Sequence, residues 1–349
     1  MAPYGSYLAR EIMAQPTVLE RLLAEEQAIV SEVAAAIRRQ SPSYVLLAAR
    51  GSSDNAARYG KYLFGAANGL PVALATPSLF TRYQSPPRLD HALVMGISQS
   101  GQSPDIVSVV KESRRQGALT VAITNDRASP LAQAAAHTVW LRSEEEQSLA
   151  ATKTYTASLM ALAMLSAALN DDNAPAESLT QVPNWITCVL ADAEEIVEAA
   201  ERYRYMEACV VIGRGYNYAT AFEIALKLKE LTYVLAEPYS SADFRHGPVA
   251  LVERGFPVIG VVPQGAVAGE LDEMIRTLRQ REAEIVGISN VSDVLGKSQT
   301  ALAIPDDVPE WVSPMVSVVP GQLFALGLTV AKGLDPDHPR GLRKVTLTR

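Results

Sequence analysis

Tyr44-Val45-Leu46-Leu47-Ala48-Ala49-Arg50-Gly51 is an apolar run that ends at a glycine and opens onto the polar loop Ser52-Ser53-Asp54. Cys209-Val210-Val211-Ile212-Gly213-Arg214-Gly215 does the same, with Gly215 lying 164 residues beyond Gly51. Ala92-Leu93-Val94-Met95-Gly96-Ile97-Ser98-Gln99-Ser100-Gly101 pairs with Pro257-Val258-Ile259-Gly260-Val261-Val262-Pro263-Gln264-Gly265, again 164 apart from Gly101 to Gly265. Val121-Ala122-Ile123-Thr124-Asn125 pairs with Val286-Gly287-Ile288-Ser289-Asn290 at an offset of 165. Three ordered matches at offsets of 164 to 165 indicate an internal duplication. The runs are rich in Val, Ile and Leu, and amphipathic stretches separate them, as expected of strands buried on both faces. The chain is therefore predicted to be α/β, with two tandem domains, each a doubly wound parallel sheet flanked by helices.

Residues 1–40 read as leading helices, with Glu20, Glu25, Glu26 and Arg38 on polar faces. Residues 41–170 form the first predicted domain and 190–331 the second. Between them, 171–189 read as a linker whose opening, Asp171-Asp172-Asn173-Ala174-Pro175, is polar. The tail 332–349, with Pro336, Pro339 and Gly341, reads as non-helical.

Composition narrows the function classes. The net charge of -7 comes without a Lys/Arg block, so no nucleic-acid footprint is expected. Cys188 and Cys209 form no CxxC pair and the 4 histidines show no paired ligand spacing, so neither a disulfide scaffold nor a metal site is predicted. Met1 to Gln15 lacks the apolar core of a signal peptide, and no uninterrupted apolar run approaches the ~18 residues of a membrane span. A cytoplasmic protein without membrane contact is the expectation.

Ser98-Gln99-Ser100-Gly101-Gln102-Ser103 joins a predicted strand to a predicted helix, at the carboxyl edge of the sheet where α/β proteins bind ligands. Its hydroxyls and free amides suit a phosphate dianion, with the helix dipole adding to them. N-capping would account for one serine but not for three. The counterpart Val262-Pro263-Gln264-Gly265 has no hydroxyls, so the anion site is assigned to the first half. Gly51-Ser52-Ser53-Asp54 could add sugar contacts or be a capped turn, and Ala151-Thr152-Lys153-Thr154 alone reads as a helix start.

Glu223, Lys227 and Glu230 fall at i, i+4 and i+7 on one helical face. On spacing alone a solvated salt-bridge stripe is the commoner outcome. If the face is covered, a carboxylate beside Lys227 is suited to proton transfer. In Ser240-Ser241-Ala242-Asp243-Phe244-Arg245-His246-Gly247-Pro248, a histidine stands at a Gly-Pro turn; such a residue is more often structural than catalytic, but it suits sugar ring opening near neutral pH.

Together these motifs resemble the double sugar-isomerase (SIS) domain family. Gly213-Arg214-Gly215, the stretch Glu223 to Glu230, His246-Gly247-Pro248, the serine loop and Leu342-Arg343-Lys344-Val345-Thr346 are similar to the isomerase half of the glutamine–fructose-6-phosphate aminotransferases. Arg50 to Asp54, Gly101 to Ile106, Ala150-Ala151-Thr152-Lys153 and Ser240 to Pro248 resemble the stand-alone glucosamine-6-phosphate deaminases of this fold more closely still. The resemblance implies a flavodoxin-like sheet in each domain. It implies phosphate and sugar contacts from Ser98, Gln99, Ser100, Ser103, Ser52, Ser53, Ala150, Thr152 and Glu223. It implies Glu230 as the base moving a proton between C1 and C2, Lys227 as its supporting charge, and Lys344 as a lysine able to form a Schiff base. His246 would open the ring, reaching in from the partner of a homodimer. The aminotransferase pattern has Ser where this chain has Ala151, and Glu where it has Asp243. No cysteine stands near Met1 to act as a glutamine-hydrolysing nucleophile, so a chain without a glutaminase is expected.

The expected reaction is hydrolysis of glucosamine 6-phosphate to fructose 6-phosphate and ammonia, without metal or organic cofactor. The alternatives are another phosphosugar isomerase or deglycase, or a glutaminase-less aminotransferase-like enzyme. A non-catalytic sugar-phosphate sensor would not need Glu230 and His246, and both are present.

Overall fold

The computed structural model describes residues 5–170 and 174–344. Asp171, Asp172 and Asn173 of the predicted linker, and Val345 and Thr346 of the C-terminal motif, lie outside the described residues. The chain divides into two compact units. The first comprises 17–146 and 153–181, with Arg343 and Lys344; the second comprises 5–16, 147–152 and 182–342.

In the first unit, β1 (Tyr44–Ala48), β2 (Val72–Leu74), β3 (Ala92–Ile97), β4 (Leu119–Thr124) and β5 (His137–Trp140) form a parallel sheet in the order β2-β1-β3-β4-β5. In the second, β6 (Ala208–Gly213), β7 (Leu235–Ser240), β8 (Pro257–Val262), β9 (Glu284–Ser289) and β10 (Thr300–Ala303) form another in the order β10-β9-β8-β6-β7. Counted from the start of each unit, both orders are 2-1-3-4-5, the flavodoxin-like arrangement with its switch point between the first and third strands. The duplication extends to pairs that the sequence comparison did not match: β2 to β7 and β5 to β10 are each 163 residues apart at their first residues. Every residue of β3 and of β8 is buried, as a sheet covered on both faces requires.

Strand alternation assigns the faces. Leu46, Ala48 and Val94 pack with Ile106, Val109 and Val110 of the helix Pro104–Arg115, so that helix covers one face of the first sheet. In the second sheet, Val210 and Ile212 cluster with Phe244, Val252 and Leu271. Gly213 points the other way: a Cβ there would lie 2.3 Å from the Asn217 carbonyl oxygen and 3.2 Å from Ala221 Cβ. The helix Tyr218–Thr232 therefore covers the face opposite the segment that carries Phe244.

Two long helices, Lys153–Leu169 and Ser313–Ala331, are apolar all round and almost wholly buried, each in its own unit. Ser313–Ala331 has the length and composition of a membrane span, but 89% of its most apolar window is buried and it packs against Tyr218–Thr232.

Two expectations about the connecting segments change. The stretch 171–189 read as a linker is helical from Ala174 to Ala191, because Leu179, Val182, Ile186 and Val189 recur at helical spacing and are buried. The boundary between the units falls inside that helix, between Gln181 and Val182. Glu26, placed on a polar face, is fully buried. Its carboxylate accepts from Trp140 N at 3.1 Å and from Arg142 Nε at 2.8 Å, which ties the helix Gln15–Gln40 to the end of β5. The partner is 116 residues away, so local spacing could not reveal it. Replacing Glu26 with Ala leaves Arg142 to its pair with Glu25 and strands an edge-strand amide. It should cost about 1–3 kcal/mol, read as a lower urea midpoint for the transition of the first unit.

Candidate active site

The serine loop leaves β3 at the switch point of the first sheet. Ser98 is buried, and Gln99, Ser100 and Ser103 are half-buried. Ser98 Oγ accepts from Gly101 N at 3.2 Å and Ser100 Oγ from Gln102 N at 3.3 Å. Both hydroxyls are thus engaged as acceptors, which leaves their O–H groups to donate. Ser103 stands at the N-cap of Pro104–Arg115 but makes no side-chain capping bond, so capping does not explain it. Gly101 is required twice over: its φ is +62°, and a Cβ would lie 2.2 Å from Ser129 Oγ. Ser52 and Ser53, both half-buried, open the helix Ser52–Asn68 after the adjacent strand β1. The fold therefore brings six of the predicted substrate contacts to one sheet edge.

Arg50 and Asp105 stood inside the motifs without an assigned role. Arg50 Nε donates to Asp105 Oδ2 at 2.8 Å, and that carboxylate is 2% exposed. The pair links the β1 loop to the first turn of the helix after the serine loop.

The equivalent place in the second unit is occupied by the chain itself. Gly265, the partner of Gly101, has φ +158°, and a Cβ on it would lie 2.2 Å from Glu310 Oε2. Glu310 Oε2 accepts from Ala266 N at 2.7 Å. A carboxylate thus sits at the second loop, whereas its first-unit counterpart, Ser98 to Ser103, contains no acidic residue of its own.

On Tyr218–Thr232, the solvated-stripe reading fails. Glu223 and Lys227 have side chains 0% and 1% exposed, and Glu230 is 22% exposed. Lys227 Nζ lies 3.4 Å from Glu223 Oε1 and 2.6 Å from Glu230 Oε2. The helix is covered by the sheet and by Ser313–Ala331, and so buries the face that spacing alone leaves to solvent.

His246 is exposed, following the short helix Ser241–Arg245 that Ser240 caps through Asp243 N at 3.1 Å. Its segment covers the face of the second sheet opposite Tyr218–Thr232. Within the unit, His246 and Glu230 are therefore held on opposite sides of the sheet and do not come together.

Lys344 Nζ donates to Glu146 Oε2 at 3.0 Å. Glu146, 1% exposed, also accepts from Thr154 N at 3.2 Å and Thr154 Oγ1 at 2.7 Å. Glu146 lies in the acidic run Glu144-Glu145-Glu146, which gives no local sign of it. Ala150 and Thr152 are fully buried and belong to the second unit. Burial pushes the Cys209 thiol up to about 12, which removes it as a nucleophile.

The sequence model of the SIS domain matches residues 39–168 and 207–332. The glutamine–fructose-6-phosphate aminotransferase (isomerizing) of Methanothermobacter thermautotrophicus is 33% identical over 346 residues; the match covers 98% of this chain and 57% of that protein. The chain thus spans little more than half the length of that curated relative. A crystal structure from Silicibacter pomeroyi, of a protein assigned as a phosphosugar isomerase, is 35% identical with a TM-score of 0.85, covering 95% of this chain and 100% of the other. The glucosamine-6-phosphate deaminase of Thermotoga maritima has a TM-score of 0.77 over 98% of this chain and 100% of its own. At 20% identity that likeness concerns the fold alone.

Lys227→Met keeps the length of the side chain but removes the cation between two carboxylates, one of them fully buried. It should lower stability by about 3–5 kcal/mol. The double variant Glu223→Leu/Lys227→Met, which removes the buried pair together, should recover more than half of that loss in guanidinium unfolding.

Proposed function

The chain belongs to the SIS domain family, and on that premise we propose that it is an aldose–ketose isomerase of an amino-hexose 6-phosphate, catalysing the isomerase half-reaction of the aminotransferase type. It would interconvert glucosamine 6-phosphate with the C2 imine of fructose 6-phosphate. The observation that carries the reading is the serine loop: hydroxyls at a switch point, held as acceptors from their own loop and not used to cap the helix behind it. The identity to the aminotransferase over nearly the whole chain supports this half-reaction ahead of free deamination. The unpaired thiols of Cys188 and Cys209 fit a reducing compartment.

In this reading, Ser98, Gln99, Ser100 and Ser103 hold the 6-phosphate, and Ser52, Ser53, Ala150, Thr152 and Glu223 line or support the sugar site. His246 protonates the ring oxygen and opens the pyranose. Glu230, ion-paired with Lys227, takes the proton from C2 of the amino-aldose and returns it to C1, giving the ketose imine. The imine delocalises the charge that develops between C1 and C2. For net deamination, Lys344 would leave its pair with Glu146 and attack C2 of the imine, expelling ammonia and forming a Schiff base. Water would then hydrolyse that Schiff base to fructose 6-phosphate and the free lysine amine; the stretches Arg50 to Asp54 and Ser240 to Pro248 favour this as the second reading.

The sheet between Glu230 and His246 supports a homodimer in which each histidine serves the other protomer's site. A two-fold axis would then generate two equivalent composite sites.

Glu230→Gln keeps the shape and removes the base. Exchange of the C2 proton of glucosamine 6-phosphate with deuterated solvent should fall roughly 100-fold or more, with binding retained; wild-type exchange would assign the proton to another group. Ammonia release by the wild type distinguishes the two directions: release matching fructose 6-phosphate formation favours deamination, and isomerisation without it favours the aminotransferase-type half-reaction.

Mixing Glu230→Gln chains with His246→Ala chains under subunit exchange tests the shared site. In a mixed dimer one site collects both defects and the other neither, so activity should return to about a quarter of wild type at equal mixing. If each chain used its own His246, exchange confirmed by mass spectrometry would restore nothing.

A further inference from the structure

We propose that Arg50 binds the substrate's phosphate, supplying the positive charge that the serine loop lacks. This inference rests on the reading of that loop as the phosphate site. Ser98 to Ser103 contains no cationic side chain. A phosphate monoester brings about −1.5 to −2 charges at neutral pH, whereas a helix N-terminus offers only about half a positive charge. Hydroxyls and amides can satisfy the oxygen lone pairs but leave most of that charge unbalanced.

Arg50 is the cation that the fold fixes at this place. It ends the run that follows β1, the strand beside β3, and so stands on the other side of the switch point from the serine loop. Its Nε is 2.8 Å from Asp105 Oδ2, and Asp105 is the second residue of the helix that the serine loop enters. The guanidinium is therefore held against the side chain of a first-turn residue of that helix, on the side of the sheet edge that the serine loop shares. Asp105 is committed twice, since its Oδ1 also accepts from Ile106 N at 2.9 Å. It acts as an anchor, with its side chain 2% exposed, while the arginine side chain remains 52% exposed.

The geometry of the pair favours anion recognition. Asp105 engages Nε, and among the described residues Nη1 and Nη2 make no hydrogen bond. The two terminal nitrogens, coplanar in the guanidinium and oriented by the Nε contact, are the donors that grip a phosphate bidentately. Lysine could supply charge here, but neither the anchor nor the fork. Asp105 is thus a positioning residue, acting through Arg50.

Equilibrium binding of inorganic phosphate and of fructose 6-phosphate tests this, using the full chain as wild type, Arg50→Gln, Arg50→Lys and Ser98→Ala/Ser100→Ala. Arg50→Gln should weaken both ligands by roughly 10- to 100-fold, and Arg50→Lys should recover only part of the loss. The salt dependence of phosphate binding should flatten in Arg50→Gln but not in the serine variant, since only the former loses a cation. Arg50→Gln/Asp105→Asn, which leaves no lone buried carboxylate, separates loss of charge from loss of fold: it should melt near wild type and still bind weakly. Unchanged phosphate affinity in that folded variant, beside a loss in the serine variant, would overturn the role of Arg50 and leave the loop assignment standing. Weakened fructose 6-phosphate with unchanged inorganic phosphate would also overturn it, moving Arg50 to the sugar. Unchanged affinity in every variant would remove the loop assignment itself.

Discussion

A parallel sheet is a partition. Connections that step outward along it and connections that step back across it lie on opposite faces, because each crossover is right-handed. In the second unit, β6 to β7 steps one way and β7 to β8 steps back over β6. The helix carrying Glu230 and the segment carrying His246 are consecutive in sequence, yet topology holds them apart with a layer of paired strands between them. No side-chain rotamer removes that separation. In the reading proposed above, an acid–base chemistry that uses both groups at one sugar draws them from two copies of the chain, and the strand order is what supports that arrangement.

The same layering explains how an ion pair comes to be buried. Glu223 and Lys227 point from a helix that has the sheet on one side and the all-apolar Ser313–Ala331 helix on another. Taking both charges out of water costs several kcal/mol per ion, and their attraction returns that only if the geometry is close. Lys227 is shared between Glu223 at 3.4 Å and Glu230 at 2.6 Å, so the shorter contact belongs to the carboxylate that is still partly exposed. The arrangement holds a fixed cation against a carboxylate that keeps some exposure, which is what the proposed proton transfer would use.

What the sequence disclosed follows the range of the interactions. Strand runs, the offset near 164 and the serine loop are local or periodic signals, and the duplication made each half a check on the other. Burial of Glu223 and Lys227 was not legible, because i, i+4 spacing looks the same on a solvated helix and on one roofed by a second helix. Glu26 was misplaced for the same reason, its arginine lying 116 residues on. The anchors Asp105 and Glu146 were silent in sequence, since a carboxylate in a helix start or an acidic run is ordinary until its partner is known. The segment from Ala174 was read from its polar opening, while its helical apolar period begins only at Leu179.

The two halves also show how a duplicated fold becomes asymmetric. Both switch points keep a glycine in the loop after the third strand, Gly101 and Gly265, each with positive φ and each too crowded for a Cβ. Beyond that glycine the chemistry diverges. The first loop surrounds its amides with hydroxyls and stands beside the Arg50–Asp105 pair. The second satisfies the Ala266 amide with Glu310, while the Arg214–Glu270 pair at 2.6 Å repeats the Arg50–Asp105 pair, a feature common to both halves. Loop amides at the head of a helix favour an anion. One half leaves that demand to a ligand; the other meets it internally. Because Glu310 already brings a carboxylate to the second loop, a dianion entering there would meet like charge, which favours the first loop as the proposed phosphate site.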